Sequence, residues 1–200
     1  MWILFLLFKG RQVSESKEEA DIIANVIAGD TQAFRLLVVR YQNVIYSYFM
    51  RQIGDMHKAQ DLSQEVFLKA YRSIRTFKGQ STFLTWLYKI AINHNSTYLS
   101  SKEFRQRKLS TLLDVNSNKA DSYVVHNVIE SYQNELLLRK LKSAVQGLKP
   151  IYRDVVVLCC FESKTYDETA SILGIPFGTV CSRMNKALST LRVELSKEFV

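Results

Sequence analysis

Apolar residues recur along most of this chain at spacings of three and four, with polar residues between them. Residues 180–195 give the clearest case, because Val180, Met184, Ala187, Leu188, Leu191 and Leu195 fall on one stripe of a helix. This period is helical, whereas a half-buried strand needs strict alternation. Only 2 prolines and 7 glycines interrupt the pattern, so the chain is predicted to be all-α.

Capping signals and glycines mark the ends of the predicted helices. Ser16 and Glu19 form a capping box that opens a first helix, which Gly29 and Asp30 end. Ser81 is predicted to cap a helix that reaches about residue 107. The other predicted helices cover about 31–53, 56–73, 127–146 and 150–161.

Residues 165–195 predict two helices joined by a tight turn, the layout of a DNA-binding helix-turn-helix. Thr165 and Glu168 form a second capping box, Gly174 suits a left-handed helix terminus, and Pro176 suits the start of the next helix. Small and polar residues occupy the outer arc of that helix, with Arg183 at its edge: Gly178, Thr179, Ser182, Asn185 and Lys186. A solvated surface helix would show the same pattern.

The polar, aperiodic residues 109–126 indicate a linker. The predicted architecture is therefore two small helical domains joined by a flexible linker, the C-terminal one carrying the helix-turn-helix. The predicted bounds are 1–30 for an N-terminal extension with a short helix, 31–110 for the first domain, 111–135 for the linker and 136–200 for the second domain.

Positive charge is concentrated in the two predicted domains. The formal net charge is +8, and residues 35–113 hold 13 Lys and Arg against 4 Asp and Glu. Residues 136–200 hold 10 against 6, while residues 114–135 are acidic. Two basic blocks favour a polyanionic partner, either nucleic acid or an acidic membrane surface.

The residue types that carry catalysis or bind metals do not cluster. Cys159, Cys160 and Cys181 lack a metal-ligand spacing, and the three histidines are scattered. No nucleophile elbow or phosphate loop is present. We therefore expect no enzymatic activity, no metal, no cofactor and no small-molecule substrate.

The chain opens with eight apolar residues, Met1-Trp-Ile-Leu-Phe-Leu-Leu-Phe8. Eight residues are too few to span a bilayer, which takes about 20. A signal peptide would carry its positive charge before the apolar run, whereas Lys9 and Arg11 follow it here. We expect a cytoplasmic protein that works without this segment, which is either an upstream extension or a tag that packs on a partner.

Two neighbouring predicted helices carry residues that could bind a partner. The predicted helix 56–73 has an apolar side and a polar side with Asp61, Gln64 and Glu65, and two of these are carboxylates within a basic block. The next helix interleaves Phe83 and Trp86 with Lys89 and Asn93. Rings can stack on unpaired bases while cations follow the backbone. Core packing competes for both rings, and we expect at least one of them to be core.

These segments resemble bacterial sigma factors. Asp61-Leu-Ser-Gln-Glu-Val-Phe-Leu-Lys-Ala-Tyr71 and the following Phe77-Lys-Gly-Gln-Ser-Thr-Phe-Leu-Thr-Trp-Leu-Tyr-Lys-Ile-Ala91 resemble their second domain. Residues 148–191 resemble the fourth. The short connection leaves no room for the extra domain of housekeeping sigma factors, so the resemblance is to the extracytoplasmic-function (ECF) type.

The resemblance implies partners and site residues. Core RNA polymerase would be bound by Asp61, Gln64, Glu65 and Phe67. The melted −10 element would be held by Lys78, Gly79, Gln80, Ser81, Thr82, Phe83, Trp86, Lys89 and Asn93. The −35 duplex would be contacted by Gly178, Thr179, Ser182, Arg183 and Lys186. An anti-sigma factor is a further partner that the resemblance leaves open.

Two departures from the family limit what carries over. Leu87 stands where housekeeping sigma factors have a second tryptophan, and Phe177 and Cys181 occupy positions that relatives fill with polar or charged residues. The −35 preference cannot be copied from a relative for that reason. The alternative is a helix-turn-helix repressor or activator that acts without polymerase, but it leaves residues 61–71 and the aromatic helix without a task.

Overall fold

The computed structural model describes residues 18–101, 104 and 130–196, and its described elements are helices. Residues 18–27 form α1. The helices α2 (Thr31–Ile53), α3 (Met56–Ser73) and α4 (Phe83–Ser100) complete an N-terminal unit. The C-terminal unit holds α5 (Glu130–Gly147), α6 (Pro150–Val156), α7 (Tyr166–Leu173) and α8 (Phe177–Ser196). The all-α prediction is confirmed.

Local capping chemistry determines several helix ends. The Asp30 carboxylate accepts hydrogen bonds from the backbone N–H groups of Gln32 and Ala33 and so starts α2. Gly54 ends α2 at φ 77°. A side chain at Gly54 would be strained by this left-handed backbone and would also run into the Gln146 amide of the other unit.

Both predicted ends of α4 are corrected. The N-cap of α4 is Thr82 rather than Ser81, because the Thr82 hydroxyl accepts from the backbone N–H of Thr85 at 3.2 Å. Helix α4 ends at Ser100, well before residue 107. The described part of α5 begins at Glu130, which agrees with the helix predicted over about 127–146. The capping box at Ser16 and the apolar segment 1–8 lie outside the described residues.

The prediction of the helix-turn-helix is confirmed in detail. The Thr165 hydroxyl accepts from the backbone of Glu168, and the Glu168 carboxylate accepts from the backbone of Thr165, which completes the capping box. Gly174 closes α7 at φ 64°. Helix α8 starts directly after Pro176, and its buried side chains are Val180, Met184, Ala187 and Leu191.

A single turn of π-helix, Val157–Phe161, extends α6. The backbone N–H of Glu162 bonds to the carbonyl of Val157, five residues back, and Ser163 then turns the chain at φ 52°. This turn projects the Glu162 carboxylate toward the N-terminal unit, where it meets Arg51 and Tyr88.

Candidate nucleic-acid interface and the contact between the units

The polymerase-binding residues expected on α3 divide into exposed and buried members. Asp61, Gln64 and Glu65 are exposed, whereas Phe67 is buried at 7% exposure. Phe67 reaches the surface only by lining a groove of about 820 Å³ between α2 and α3, together with exposed Leu68 and Tyr71. A partner helix could therefore bury apolar surface in this groove while polar groups meet its edge.

The Glu65 carboxylate lies next to a histidine of the neighbouring helix. Its Oε2 atom lies 2.9 Å from Nε2 of His94 on α4, and the other ring nitrogen of His94 lies 2.6 Å from Nζ of Lys69. Burial of the ring lowers the pKa of His94, and Lys69 lowers it further while Glu65 opposes the shift. A neutral ring can accept from Lys69 at Nδ1, while the Glu65 carboxylate lies beside its other nitrogen.

The two aromatic residues expected to hold a melted strand have different environments. Phe83 is completely buried among Tyr41, Phe77 and Trp86, with ring centroids 5.5–5.8 Å apart. Because none of its ring is exposed, the expected direct contact of Phe83 with DNA is corrected, and we assign the residue to the core. Trp86 is half-buried at the edge of the same cluster.

Trp86 belongs to a surface that includes the preceding loop. Lys78, Gly79 and Gln80 are exposed, Ser81 is half-buried, and Thr82 uses its hydroxyl oxygen to cap α4. Lys89 and exposed Asn93 follow Trp86 by three and seven residues, so the three side chains share one side of the helix. One indole ring, two cationic side chains and polar groups thus lie together, as single-strand binding requires.

On α8 the outer surface consists mainly of short side chains. Gly178, Ser182, Asn185 and Lys186 are exposed, while Thr179 and Arg183 are half-buried. Arg183 lies close enough to Asp154 for its positive charge to lower the pKa of that carboxyl. It therefore lies toward the side of α8 that packs on α6, at the edge of the outer surface. Asn185 also lies on this surface, although the family resemblance does not include it among the −35 residues.

Long-range polar contacts join the two units, and sequence reasoning missed them. The Asp154 carboxylate accepts from Tyr48 Oη at 3.1 Å and from Gln52 Nε2 at 2.9 Å. Arg51 Nη1 lies 2.7 Å from Glu162 Oε1, and Tyr88 Oη donates to Glu162 Oε2 at 2.9 Å. We call these six residues and Arg153 the interunit contact.

Arg153 is the buried centre of the interunit contact. Its guanidinium donates to the carbonyl of Gln52 at 2.5 Å, to that of Leu148 at 2.8 Å and to that of Gln146. These carbonyls belong to the C-terminal ends of α2 and α5, where helices leave acceptors without partners. One cation therefore caps two helices from different units.

Burial raises the pKa of Asp154 to about 6, although Tyr48, Arg153, Arg183 and Gln52 oppose the shift. A carboxyl that binds its proton more tightly in the packed arrangement favours that arrangement at low pH. Packing of the units should therefore strengthen as the pH falls through 6 toward the ordinary aspartate pKa near 4. Small-angle scattering between pH 7.5 and 5 would measure it, and Asp154→Asn should remove this component. An unchanged pH profile in that variant would exclude Asp154 as its source.

The described residues contain no helix long and apolar enough to cross a membrane. Nor do they bring together three His, Cys, Asp or Glu side chains that could hold a metal ion.

Two family models match the chain, each over one unit. They are sigma-70 region 2 over residues 37–105 and sigma-70 region 4 over residues 138–191. The RNA polymerase sigma-H factor of Pseudomonas aeruginosa is 34% identical over 178 residues, which cover 86% of this chain and 90% of the relative. The ECF RNA polymerase sigma-E factor of Escherichia coli K12 is 34% identical over 181 residues, with coverages of 88% and 93%.

Two solved structures resemble the fold. The structure of CnrH in complex with the cytosolic domain of CnrY matches with a TM-score of 0.62 at 22% identity, covering 88% of this chain and 96% of that one. The sigma factor RpoE in complex with the anti-sigma factor NepR from Bartonella quintana matches with a TM-score of 0.59 at 21% identity, with coverages of 83% and 98%.

Proposed function

The chain belongs to the ECF sigma factors, the promoter-specificity subunits of bacterial RNA polymerase, and we propose that its two units divide the work. The N-terminal unit binds core polymerase through α3 and holds the melted −10 strand along α4. The C-terminal unit reads the −35 duplex through α8. The observation that carries this division is the match of each unit to its own sigma region, in the expected order.

For the polymerase contact we propose the exposed part of α3. Asp61, Gln64 and Glu65 supply the polar groups, and the groove beside them, which Phe67 lines from below, accepts an apolar edge of the clamp helices. Polar groups at the rim of an apolar groove give specificity and orientation, while the groove supplies buried area.

For the −10 element we propose the loop 78–81 and the exposed side of α4. The loop carries Lys78 and has Gly79 at φ 67° in open space, so a base that leaves the stack has room there. Trp86 offers the ring, and Lys89 and Asn93 hold phosphates and base edges beyond it. Thr82 contributes by starting α4.

Simultaneous use of both promoter elements requires the units to separate. The names of the elements place their centres about 25 base pairs apart, or roughly 85 Å at about 3.4 Å per base pair. In the packed arrangement α4 and α7 approach within 8 Å between Cα atoms. The chain from Ser100 to Glu130 could span about 100 Å if fully extended. The connection is therefore long enough, and the interunit contact is what must break.

We also propose that the protein acts in the cytoplasm, has no catalytic activity of its own and binds an anti-sigma factor. The last point rests on the family, in which the Bartonella RpoE structure is a complex with one. Co-purification of the tagged chain from its host would test it, and recovery of core polymerase alone would argue against such a partner.

Run-off transcription with core polymerase on genomic fragments tests the proposed function as a whole. We expect transcripts from a small set of promoters that share −35 and −10 sequences. A repressor or activator that acts without polymerase would bind DNA by itself but would not direct core polymerase to any start site.

Charge reversal of Glu65 tests the polymerase contact. Glu65→Lys should weaken binding to core polymerase by about tenfold or more, equivalent to about 1.4 kcal/mol, because a like charge would then face the partner's complementary surface. Glu65→Gln removes the charge but keeps the shape of the side chain beside His94, so it separates the effect of the charge from that of the geometry. Asp21→Lys, an exposed carboxylate on α1, is the matched control. Equal affinities of Glu65→Lys and the control would place the contact elsewhere.

A further inference from the structure

The outer face of α8 presents short side chains, which allow the helix backbone to approach base edges closely. The buried stripe of Val180, Met184, Ala187 and Leu191 fixes how the helix is turned. At about 100° per residue, Ser182, Asn185 and Ser189 then point away from the core. Asn185 lies in the N-terminal half of α8, and N-terminal residues of a recognition helix contact base edges.

The hydroxyl groups on this face are already engaged. Ser182 Oγ donates to the carbonyl of Thr179 at 3.1 Å, and Ser189 Oγ donates to that of Lys186 at 2.9 Å. Their donors are therefore used within the helix itself, and Gly178 has no side chain. Serines bonded in this way shape the surface but offer little discrimination between bases.

The longer cations on α8 are less suited to base reading in this arrangement. Arg183 is half-buried, and its positive charge acts on the Asp154 carboxyl. Lys186 is exposed, and a flexible ammonium suits a phosphate as well as a base. The exposed amide of Asn185 makes no hydrogen bond within the described part of the chain.

We propose that Asn185 is the specificity-determining residue of α8 and that it reads an adenine in the −35 element. A carboxamide presents one donor and one acceptor side by side, which matches the N7 acceptor and N6 donor of adenine in the major groove. This inference rests on the proposed −35 function of α8 and adds the base and the residue that recognises it.

Selection from a DNA pool tests the inference. Holoenzyme assembled from the full chain and core polymerase is allowed to bind promoters in which the −35 region is randomised. The wild type should enrich adenine strongly at one position, and Asn185→Ala should lose that enrichment alone. Asn185→Asp should shift the position toward cytosine, whose N4 amino group donates to a carboxylate. Ser189→Ala, one turn further on the same face, is the control and should select like the wild type.

Modified bases then test which atoms of this adenine Asn185 recognises. Replacing that adenine by 7-deazaadenine removes the N7 acceptor and should weaken wild-type binding, up to the roughly 5- to 150-fold that one bidentate pair contributes. The Asn185→Ala holoenzyme should be insensitive to the same replacement. If adenine enrichment or the 7-deaza effect persists in Asn185→Ala, the inference is wrong. If the wild type selects no −35 sequence at all, the proposed function of α8 fails with it.

Discussion

Phe83→Ala should lower the free energy of unfolding by about 3–5 kcal/mol, because it leaves a cavity where a completely buried ring packs against three others. Trp86→Ala should cost much less stability, since the indole is half-buried at the edge of that cluster. Urea denaturation followed by far-UV circular dichroism measures both. Phe83→Leu keeps most of the volume and is the matched control.

In strand opening the order of the two positions should reverse, with Trp86→Ala impaired more than Phe83→Leu. Trp86→Ala should slow open-complex formation by roughly 5- to 150-fold, which corresponds to about 1–3 kcal/mol of base stacking. Phe83→Leu should open DNA at nearly the wild-type rate. A template already mismatched at −10 should rescue much of the Trp86→Ala defect, because unpairing no longer has to be driven by stacking.

Permanganate footprinting on both templates measures the opening. Normal melting by Trp86→Ala, or an equal defect on the mismatched template, would remove Trp86 from the strand-binding surface. A stable Phe83→Ala protein would show that the aromatic cluster is not the core of the N-terminal unit.

Arg153→Ala should be the most damaging single change in the interunit contact. It leaves three helix-terminal carbonyls without their donor and removes the cation next to buried Asp154. Breaking a buried charged network in this way costs about 3–5 kcal/mol. Arg153→Lys should recover only part of the loss, because one ammonium cannot reproduce the planar fork that reaches both helices.

Arg51→Ala is the comparison for this prediction. Its ion pair with Glu162 is one-third exposed on the Arg51 side, and Tyr88 still donates to Glu162 in this variant, so the loss should be smaller than for Arg153→Ala. Urea midpoints and the radius of gyration should therefore change strongly for Arg153→Ala and slightly for Arg51→Ala. Equal losses in the two variants would mean that burial of Arg153 does not decide the strength of the contact.

Features whose cause lies within a few residues could be predicted from the sequence. The Thr165 and Glu168 capping box and Gly174 act over one helical turn, and both were located correctly. The cap of α4 was misplaced by one residue, since Ser81 and Thr82 carry the same hydroxyl and burial of Phe83 decides between them. Local chemistry therefore does not distinguish these two N-cap positions, whereas packing does.

The parts that sequence reasoning missed depend on distant partners. Phe83 and Trp86 are three residues apart on one helix, and it is Tyr41 and Phe77 that bury the first ring. The hydrogen bond from Tyr48 to Asp154 joins residues 106 positions apart, and no periodic pattern in the sequence indicates such a pair.

The cavity at the junction of the units has a pharmacological consequence. It measures about 370 Å³ and is lined from one unit by Met50 and Arg51 and from the other by Leu141, Val145 and Phe161. A small apolar compound that fills it contacts both sets of side chains only while the units are packed, so it binds one conformation in preference to the other. At a free concentration 100 times its dissociation constant it would stabilise that conformation by about 2.7 kcal/mol, or roughly a hundredfold in population. Because we propose that the units must separate for initiation, such a compound should inhibit transcription by holding them together.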